Sequence, residues 1–254
     1  MKNVRREAWA WEFTRRNLEY IKAWSAHLKR CQKQSFSPDD ESFKKNEMTK
    51  ASEFGLLYFI DPDLDSKSVD VFWSPEIMPC VLNCSLIDHE NDIRGGQKIL
   101  ADIALELSYV ETFDGNSHLI VKDKCCSIQL LFDEKLDLNT IFDFEIKIAA
   151  YCDFPVQLQS ARCLCKFLSE QKCNKLHSLS ASKTNQYIEI LFAYDLIKFG
   201  YSHRDAAKIM FGEEALIDGW DSVSEYIRTR MRRLISRGKN LVNAGSSTFM
   251  KSKK

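Results

Sequence analysis

The sequence predicts an α+β protein with a helical N-terminus, a small β-rich middle and an all-α C-terminal part. Apolar residues recur at helical spacing near both ends of the chain. Short apolar runs, bounded by Gly, Pro, Asp and Asn, fill the middle in the manner of strands. A chain of 254 residues can bury a sizeable core. We expect two domains, one over residues 1–150 and one over residues 151–254.

The N-terminal region, residues 5–34, has the periodicity of helices. Asn17 is a residue type that caps helices, so we expect a short helix, a break and a longer helix. Three tryptophans occur close together here, and we favour docking on the protein's own core over a subunit interface: Trp9, Trp11 and Trp24. Residues 35–50 are polar and predict a linker or mobile loop.

The middle of the chain predicts short, mainly antiparallel strands that form a small mixed sheet. Strands are expected at residues 54–60, 69–73, 81–87, 118–121, 127–132 and 141–148. Residues 114–116, Asp-Gly-Asn, predict a turn. The apolar cluster at residues 99–107 is compatible with either a helix or a buried strand.

The C-terminal part predicts four helices, at residues 156–177, 183–199, 202–211 and 222–237. Ser202 with Asp205, and Ser222 with Glu225, have the spacing of capping boxes, in which the acid reaches back to the cap. Gly212 and Gly238 are expected to end the last two helices. The last three helices predict a helix-turn-helix variant. Its ten-residue connection, with Trp220 expected to fill the core beneath it, exceeds the usual three or four residues.

The last predicted helix combines an apolar stripe with arginines on both of its edges. The stripe consists of Val223, Ile227, Met231, Leu234 and Ile235. Arg228 and Arg232 flank one edge, while Arg230, Arg233 and Arg237 flank the other, and Thr229 and Ser236 lie between these two rows. A helix that buries one face and offers arginines on the other suits a groove lined by phosphates.

Charge is distributed unevenly, although the net charge is zero. Residues 36–147 contain ten basic and twenty-three acidic side chains, whereas residues 222–254 contain nine basic residues and one acidic residue. A solvated surface helix would usually carry both signs, so we favour nucleic-acid contact. The acidic middle and basic ends also predict a salt-sensitive homo-oligomer. Residues 246–254 are basic and are expected to be disordered.

Other function classes receive little support. There is no apolar run long enough for a membrane span and no signal-peptide core after the basic N-terminus, so we expect a cytoplasmic protein. Nine cysteines without regular spacing predict free thiols and no metal. Four residues could supply zinc ligands: Cys163, Cys165, Cys173 and His177. Their spacing fits no common zinc pattern, so we favour buried free thiols.

Catalysis is not expected either, and no cofactor is implied. Asp143, Glu145 and Lys147 resemble the acid-x-Lys end of magnesium-dependent nucleases, in which carboxylates bind Mg²⁺. The alternative is a strand whose apolar residues face inward and whose polar residues alternate outward. No preceding Asp completes a nuclease site, and we favour the second interpretation.

Residues 187–245 resemble the RovC-like DNA-binding domain. The resemblance is carried by Tyr201-Ser202, Ala206-Ala207, Phe211-Gly212, Trp220-Asp221, Arg228 to Arg233 and Arg237-Gly238. Near the N-terminus, similar features of the segment that often precedes this domain are Ala10 to Phe13, Arg15 to Asn17, Glu19-Tyr20, Asp61-Pro62 and Phe72 to Glu76. That domain occurs in a bacterial activator of type VI secretion genes and in excision activators and antiactivators of conjugative elements.

The resemblance implies a transcriptional activator that binds promoter double-stranded DNA, acting on type VI secretion or mobile-element genes. It also implies a homo-oligomer, for which a hexamer built from dimers is one arrangement. The alternative is an antiactivator-like module that binds another regulator instead of DNA. The residues that we predict to contact DNA are Ser222, Ser224, Arg228, Thr229, Arg232, Arg233, Arg237 and Lys239.

Overall fold

Helices occupy both ends of the chain and strands occupy its middle, so the predicted α+β class is confirmed. The computed structural model describes residues 5–33, 41–87, 106–122, 127–137, 143–148, 154–169, 179–213 and 225–250. The N-terminal helices are α1 (Arg6–Thr14), α2 (Leu18–Lys33) and α3 (Glu41–Ser52). The strands are β1 (Leu82–Ile87), β2 (Glu106–Glu111), β3 (Ser117–Lys122), β4 (Ser127–Phe132) and β5 (Asp143–Lys147). The C-terminal helices are α4 (Phe154–Leu168), α5 (Ala181–Lys198), α6 (His203–Phe211), α7 (Glu225–Ala244) and α8 (Ser247–Met250).

The break between the first two helices lies where the sequence predicts it. The Asn17 side-chain oxygen accepts from the backbone N–H of Glu19 at 2.8 Å and of Tyr20 at 3.4 Å, which caps α2. Trp9 and Trp11 are buried in the protein's own core, as expected. The N-terminal helices are therefore part of the folded body.

Part of the segment expected to be a linker is helical. Residues 41–52 form α3, while residues 34–40 lie outside the described part of the chain. The polar composition was misleading because α3 buries Met48 and Ala51, together with the charged Glu47. The buried carboxylate of Glu47 is paired with Arg30 of α2 at 2.7 Å, and it also contacts His27 and Lys50. Tertiary contacts stabilise a helix that its own sequence predicts poorly.

Residues 54–60 and 69–73 do not form the two predicted strands. Their pairing is limited to one isolated bridge between Leu56 and Trp73. Side chains satisfy the backbone of Ile60 and of Trp73. The Tyr20 hydroxyl donates to the Ile60 carbonyl at 2.6 Å and accepts from the Ile60 N–H at 2.9 Å. Leu56 and Trp73 are buried against the helices, whereas Leu57 and Phe72 pack on Ile120 of β3. A periodicity argument does not distinguish this burial from membership of the sheet.

The five strands form one mixed sheet in the order β2-β3-β4-β1-β5. The pairs are antiparallel except for β1 and β4, which are parallel. Residues 99–105 lie outside the described residues, and residues 106 and 107 begin β2. The predicted turn is confirmed, since Gly115 has a φ of +81° and its N–H donates to the Thr112 carbonyl.

Three hydrophobic clusters lie among the described residues, and the two larger ones each use residues from both sides of position 150. The first joins α1 and residues 54–81 to the C-terminal helices. The second lies between the sheet and α4. The boundary between residues 1–150 and 151–254 remains a prediction. No helix among the described residues is long and apolar enough to cross a bilayer.

Candidate nucleic-acid interface

The last three long helices pack against one another. Helix α7 contacts both α5 and α6, and α5 contacts α6. Helix α6 begins after Ser202, whose Oγ accepts from the Asp205 N–H at 3.1 Å. The Asp205 carboxylate reaches back to the cap, as expected, and accepts from the Ser202 hydroxyl at 2.6 Å. Residues 214–224, which include Trp220 and the predicted cap Ser222, lie outside the described residues.

The predicted apolar stripe anchors α7. Met231 is completely buried, and Leu234 and Ile235 are nearly so. Ile227 is partly buried against the same core, while Val223 lies outside the described residues. The stripe thus fixes the rotation of α7, and its opposite side is left facing solvent.

Gly238 does not end this helix, which continues to Ala244. A Cβ atom on Gly238 would lie 3.0 Å from the Tyr194 Cβ and 3.3 Å from the Ile190 carbonyl oxygen, both on α5. Glycine is therefore present because the two helices approach closely, not because the chain turns. The helix ends at Gly245, which has a φ of +59° and donates its N–H to the Leu241 carbonyl at 3.1 Å.

The exposed side of α7 carries most of the predicted DNA-contact residues. Exposed side chains on it include Arg228, Arg232, Arg233, Arg237 and Lys239, whereas Thr229 is half-buried. Ser222 and Ser224 lie outside the described residues. A shared surface depression is lined by Arg232, Arg233, Ser236, Arg237 and Asn240. After Glu225 the helix contains no acidic residue, so its solvent face is uniformly positive or neutral.

Arg230 is held differently from the other arginines of α7. Its Nη2 donates to Glu189 of α5 at 2.9 Å, and its guanidinium lies 4.7 Å from the ring centre of Phe211 at the end of α6. Arg230 therefore links the three packed helices.

The longer helix adds residues that the sequence argument missed. Asn240 and Asn243 are exposed on α7. Both lie beyond Gly238, where we expected the helix to end. Asn240 is two helical turns beyond Arg232 and lines the same depression. Asparagine can pair with the edge of adenine, a neutral contact that adds sequence information to a basic surface.

Residues 148–250 match a family model described as the DNA-binding domain of a T6SS transcription factor. The chain carries a RovC-type DNA-binding domain. A search of curated proteins finds no match. The match covers α4 to α8, including the basic face of α7, and supports a DNA-binding regulator.

The C-terminal end of the RovC-type domain is folded onto α1. We expected residues 246–254 to be disordered, but residues 247–250 form α8, and residues 251–254 lie outside the described part. Phe249 is buried and stacks on Phe13 with ring centres 5.0 Å apart. The Asn17 side-chain amide donates to the Val242 carbonyl of α7 at 2.9 Å. The same asparagine therefore caps α2 and holds the end of α7.

An ion pair adds a second link between α1 and the RovC-type domain. The Arg16 guanidinium donates from Nε to the Asp195 carboxylate of α5 at 2.8 Å and from Nη2 at 2.9 Å. Arg16, in the turn that follows α1, also donates to the carboxylate of Glu12 in α1 at 2.8 Å. Burial lowers the pKa of Arg16, but the hydrogen bonds from it to the two carboxylates raise that pKa overall. The N-terminal segment thereby positions α5, on which α7 packs.

The nuclease-like strand has the arrangement of an ordinary half-buried strand. Phe144 and Ile146 pack on the second core, and the acidic and basic residues between them are exposed, as the alternation predicts. Lys147 pairs with Asp133, the residue that follows β4, at 3.5 Å. In the portion of the chain that the structure describes, His, Cys, Asp and Glu do not gather in any group of three suited to a metal.

One cysteine expectation needs correction. Cys163 is disulfide-bonded, whereas we expected a buried free thiol. Cys165 is a free thiol and is exposed, because it projects from the side of α4 that faces away from the sheet. Cys173 and His177 lie outside the described residues.

Proposed function

We propose that this protein is a transcriptional activator that reads promoter double-stranded DNA with the exposed face of α7. The observation that carries the proposal is the arrangement of this helix. Its apolar side is locked against α5 and α6, while its free side offers exposed arginines and no acid after Glu225. The fixed apolar side gives these arginines a defined direction, which a groove-reading helix requires.

The contacts divide into two kinds. Arg228 and Arg232 lie in the N-terminal half of α7, the half that usually enters the major groove, and we assign them to base edges. Arg233 and Arg237 follow on the neighbouring row and are assigned to phosphates, because arginine contacts to phosphate fix the position of a protein on DNA without reading the sequence. Lys239 joins the phosphate set. Thr229 is assigned to the DNA backbone near the point where α7 enters the groove. Ser222 and Ser224, which precede α7 in the sequence, are assigned to the same part of the DNA backbone.

The proposal extends to assembly and targets. A helix-turn-helix module usually binds two half-sites as a dimer, so we assign oligomerisation to residues 1–150 and DNA binding to residues 151–254. The family resemblance suggests a hexamer built from dimers. It also suggests type VI secretion genes or mobile-element genes as the targets. The family match and the unfavourable context of the acid-x-Lys strand both favour regulation over nuclease activity. We place this activity in the cytoplasm, with the genome.

The test compares DNA binding by two variants of equal net charge. Wild-type protein first selects fragments from genomic DNA, and their affinities are then measured by fluorescence anisotropy. The test variant replaces arginines of the exposed α7 face by alanine: Arg228, Arg232, Arg233 and Arg237. The control variant replaces four exposed lysines elsewhere: Lys22, Lys29, Lys67 and Lys198.

We expect the arginine variant to lose binding to the selected fragments while keeping the wild-type fold and oligomeric state. The lysine variant should bind almost as well as wild type. Equal losses of DNA affinity in the two variants would mean that α7 contributes only its positive charge and makes no specific contact. Retained binding by the arginine variant would favour the alternative, in which the basic face binds an acidic partner protein.

A further inference from the structure

Cations from different helices surround Tyr187 of α5, at the place where α1 docks on the RovC-type domain. Lys183 lies one turn earlier on α5, and its Nζ is 5.9 Å from the centre of the Tyr187 ring. Arg6 is the first residue of α1 and lies one turn before Trp9, on the same side of that helix. The Trp9 ring centre is 5.5 Å from that of Tyr187. The N-terminal helix thus brings Arg6 toward the end of α5 that carries Lys183.

Arg237 adds a cation from α7. It precedes Gly238, where α7 packs closely on α5. Burial raises the pKa of Tyr187, whereas the positive charges of Arg237 and Arg6 lower it, and burial dominates. Both guanidinium groups are therefore close enough to the same phenol to act on it. Arg6, Lys183 and Arg237 consequently form one cluster, which we call the Tyr187 patch.

The acidic residues closest in sequence to Arg6 and Lys183 have other partners. The Glu7 Oε1 accepts from the Cys80 Sγ at 3.6 Å, and the Glu189 carboxylate accepts from Arg230 at 2.9 Å. The cations of the Tyr187 patch are exposed or half-buried. The patch therefore presents positive charge to solvent.

The Tyr187 patch continues the basic face of α7. Arg237 belongs to both, since it also lines the depression on the exposed side of α7. It lies nine residues after Arg228, or about 14 Å along the helix axis. The major groove is about 12 Å wide. When the N-terminal half of α7 occupies the groove, Arg237 therefore reaches the groove wall, where the phosphates lie, and the rest of the patch faces the same backbone.

We propose that the Tyr187 patch is a second phosphate-binding surface, through which the N-terminal helix takes part in DNA binding. This inference rests on the proposed function, because α7 sets the position of the DNA. Arg6 and Lys183 contact the backbone that flanks the groove occupied by α7. Phosphate contacts position a protein on DNA without reading its sequence. The patch therefore adds affinity and salt dependence but no specificity, and DNA binding is not confined to residues 151–254.

The first experiment uses the full-length wild-type protein. Lysines are acetylated with sulfo-N-hydroxysuccinimide acetate, with and without a selected DNA fragment, and the extent at each lysine is read by mass spectrometry after digestion. DNA should protect Lys183 of the patch and Lys239 of α7. Lys29, which is exposed on α2, is the internal control and should stay unprotected. Protection of Lys239 without protection of Lys183 would overturn this inference and leave the proposed function intact.

The second experiment measures the salt dependence of DNA affinity. Each lost phosphate contact lowers the slope of log K against log salt by about one unit, so Arg6→Gln combined with Lys183→Gln should lower it by about two units. The loss should be equal on selected and random DNA. Arg6→Lys combined with Lys183→Arg keeps both charges and should keep the slope. Lys22→Gln combined with Lys29→Gln removes two exposed charges from α2 and should also keep it.

The outcomes separate this inference from the proposed function. A wild-type slope in the folded Arg6→Gln, Lys183→Gln variant would overturn the inference, and so would an equal loss of slope in the Lys22→Gln, Lys29→Gln control. The urea midpoint reports folding, and the acetylation result does not depend on any variant. A wild-type protein that binds no DNA would overturn both proposals.

Discussion

Gly238 of α7 packs against Tyr194 of α5 so closely that a Cβ on the glycine would lie 3.0 Å from the tyrosine Cβ. The Ile190 carbonyl oxygen would be only 3.3 Å away. Neither neighbour is the end of a flexible side chain. Relief therefore requires the two helices to separate, which loosens the packing that directs the basic face.

Gly238→Ala tests this close approach. Alanine favours a helix over glycine by about 1 kcal/mol, but overpacking costs about 1–3 kcal/mol. We expect a net loss of about 1 kcal/mol in the free energy of unfolding, measured by urea titration. Ser236→Ala, on the exposed side of the same helix, should change stability by no more than about 0.5 kcal/mol. A more stable Gly238→Ala protein would mean that the helices separate at little cost.

The sequence predicted those parts of the fold that depend on neighbours along the chain. The stripe of Met231, Leu234 and Ile235 follows from helical periodicity, and the Asn17 cap follows from local hydrogen bonding. The continuation of α7 through Gly238 could not be predicted in this way, because its cause is Tyr194 on another helix. A glycine at the apparent end of a helical pattern has the same appearance whether the chain turns or two helices touch.

Long-range contacts also explain the other differences. Contacts of Glu47 with Arg30 and His27 stabilise α3, and packing of Phe249 on Phe13 stabilises α8. The candidate DNA-contact face was predictable in its charge and direction. Asn240 was not predicted, since its assignment depends on the true length of the helix.

Phe249→Ala should destabilise the whole protein, because this residue is buried between Phe13 and Tyr187. Removing a buried phenyl ring costs about 3–5 kcal/mol of folding free energy. Thermal and urea unfolding will measure the loss. Thr248→Ala, at the exposed neighbouring position, is the control and should have almost no effect. If both variants unfold like wild type, the C-terminal end does not dock on α1.

Glu47 should make stability fall in acid. Its folded-state pKa is about 2, against an ordinary value of 4.5, because hydrogen bonds from Arg30, His27 and Lys50 outweigh its burial. A carboxyl group with a lowered pKa contributes its stabilisation above the ordinary value and loses it as pH falls through the folded-state value. The contribution, about 3 kcal/mol at most, should therefore be present at neutral pH and decline progressively below about pH 4.5.

The measurement is urea unfolding between neutral pH and pH 3. Glu47→Gln should be less stable than wild type at neutral pH, and the difference should shrink as the pH falls. Glu19→Gln is the control, since Glu19 pairs with Lys22 in solvent and should add little at any pH. A constant difference between Glu47→Gln and wild type at every pH would contradict the ionised, paired state of Glu47.

The salt dependence of DNA binding should distinguish the arginines of α7 that contact phosphates from those that contact bases. A residue that contacts only phosphate releases condensed counterions, so Arg233→Ala and Arg237→Ala should each lower the slope of log K against log salt by about one unit. Their losses should be similar on selected and random DNA. Arg228→Ala and Arg232→Ala should instead cost about 1–3 kcal/mol on the selected fragment and relax specificity at one base pair each. Asn240→Ala should weaken specific binding as Arg228→Ala and Arg232→Ala do, but it should not change the salt slope, because the asparagine side chain is neutral.

All five positions are exposed, so the variants should keep the wild-type urea midpoint. If every arginine variant lowered the slope equally and left specificity intact, the face would bind DNA without reading it, and sequence recognition would have to come from other residues of the RovC-type domain.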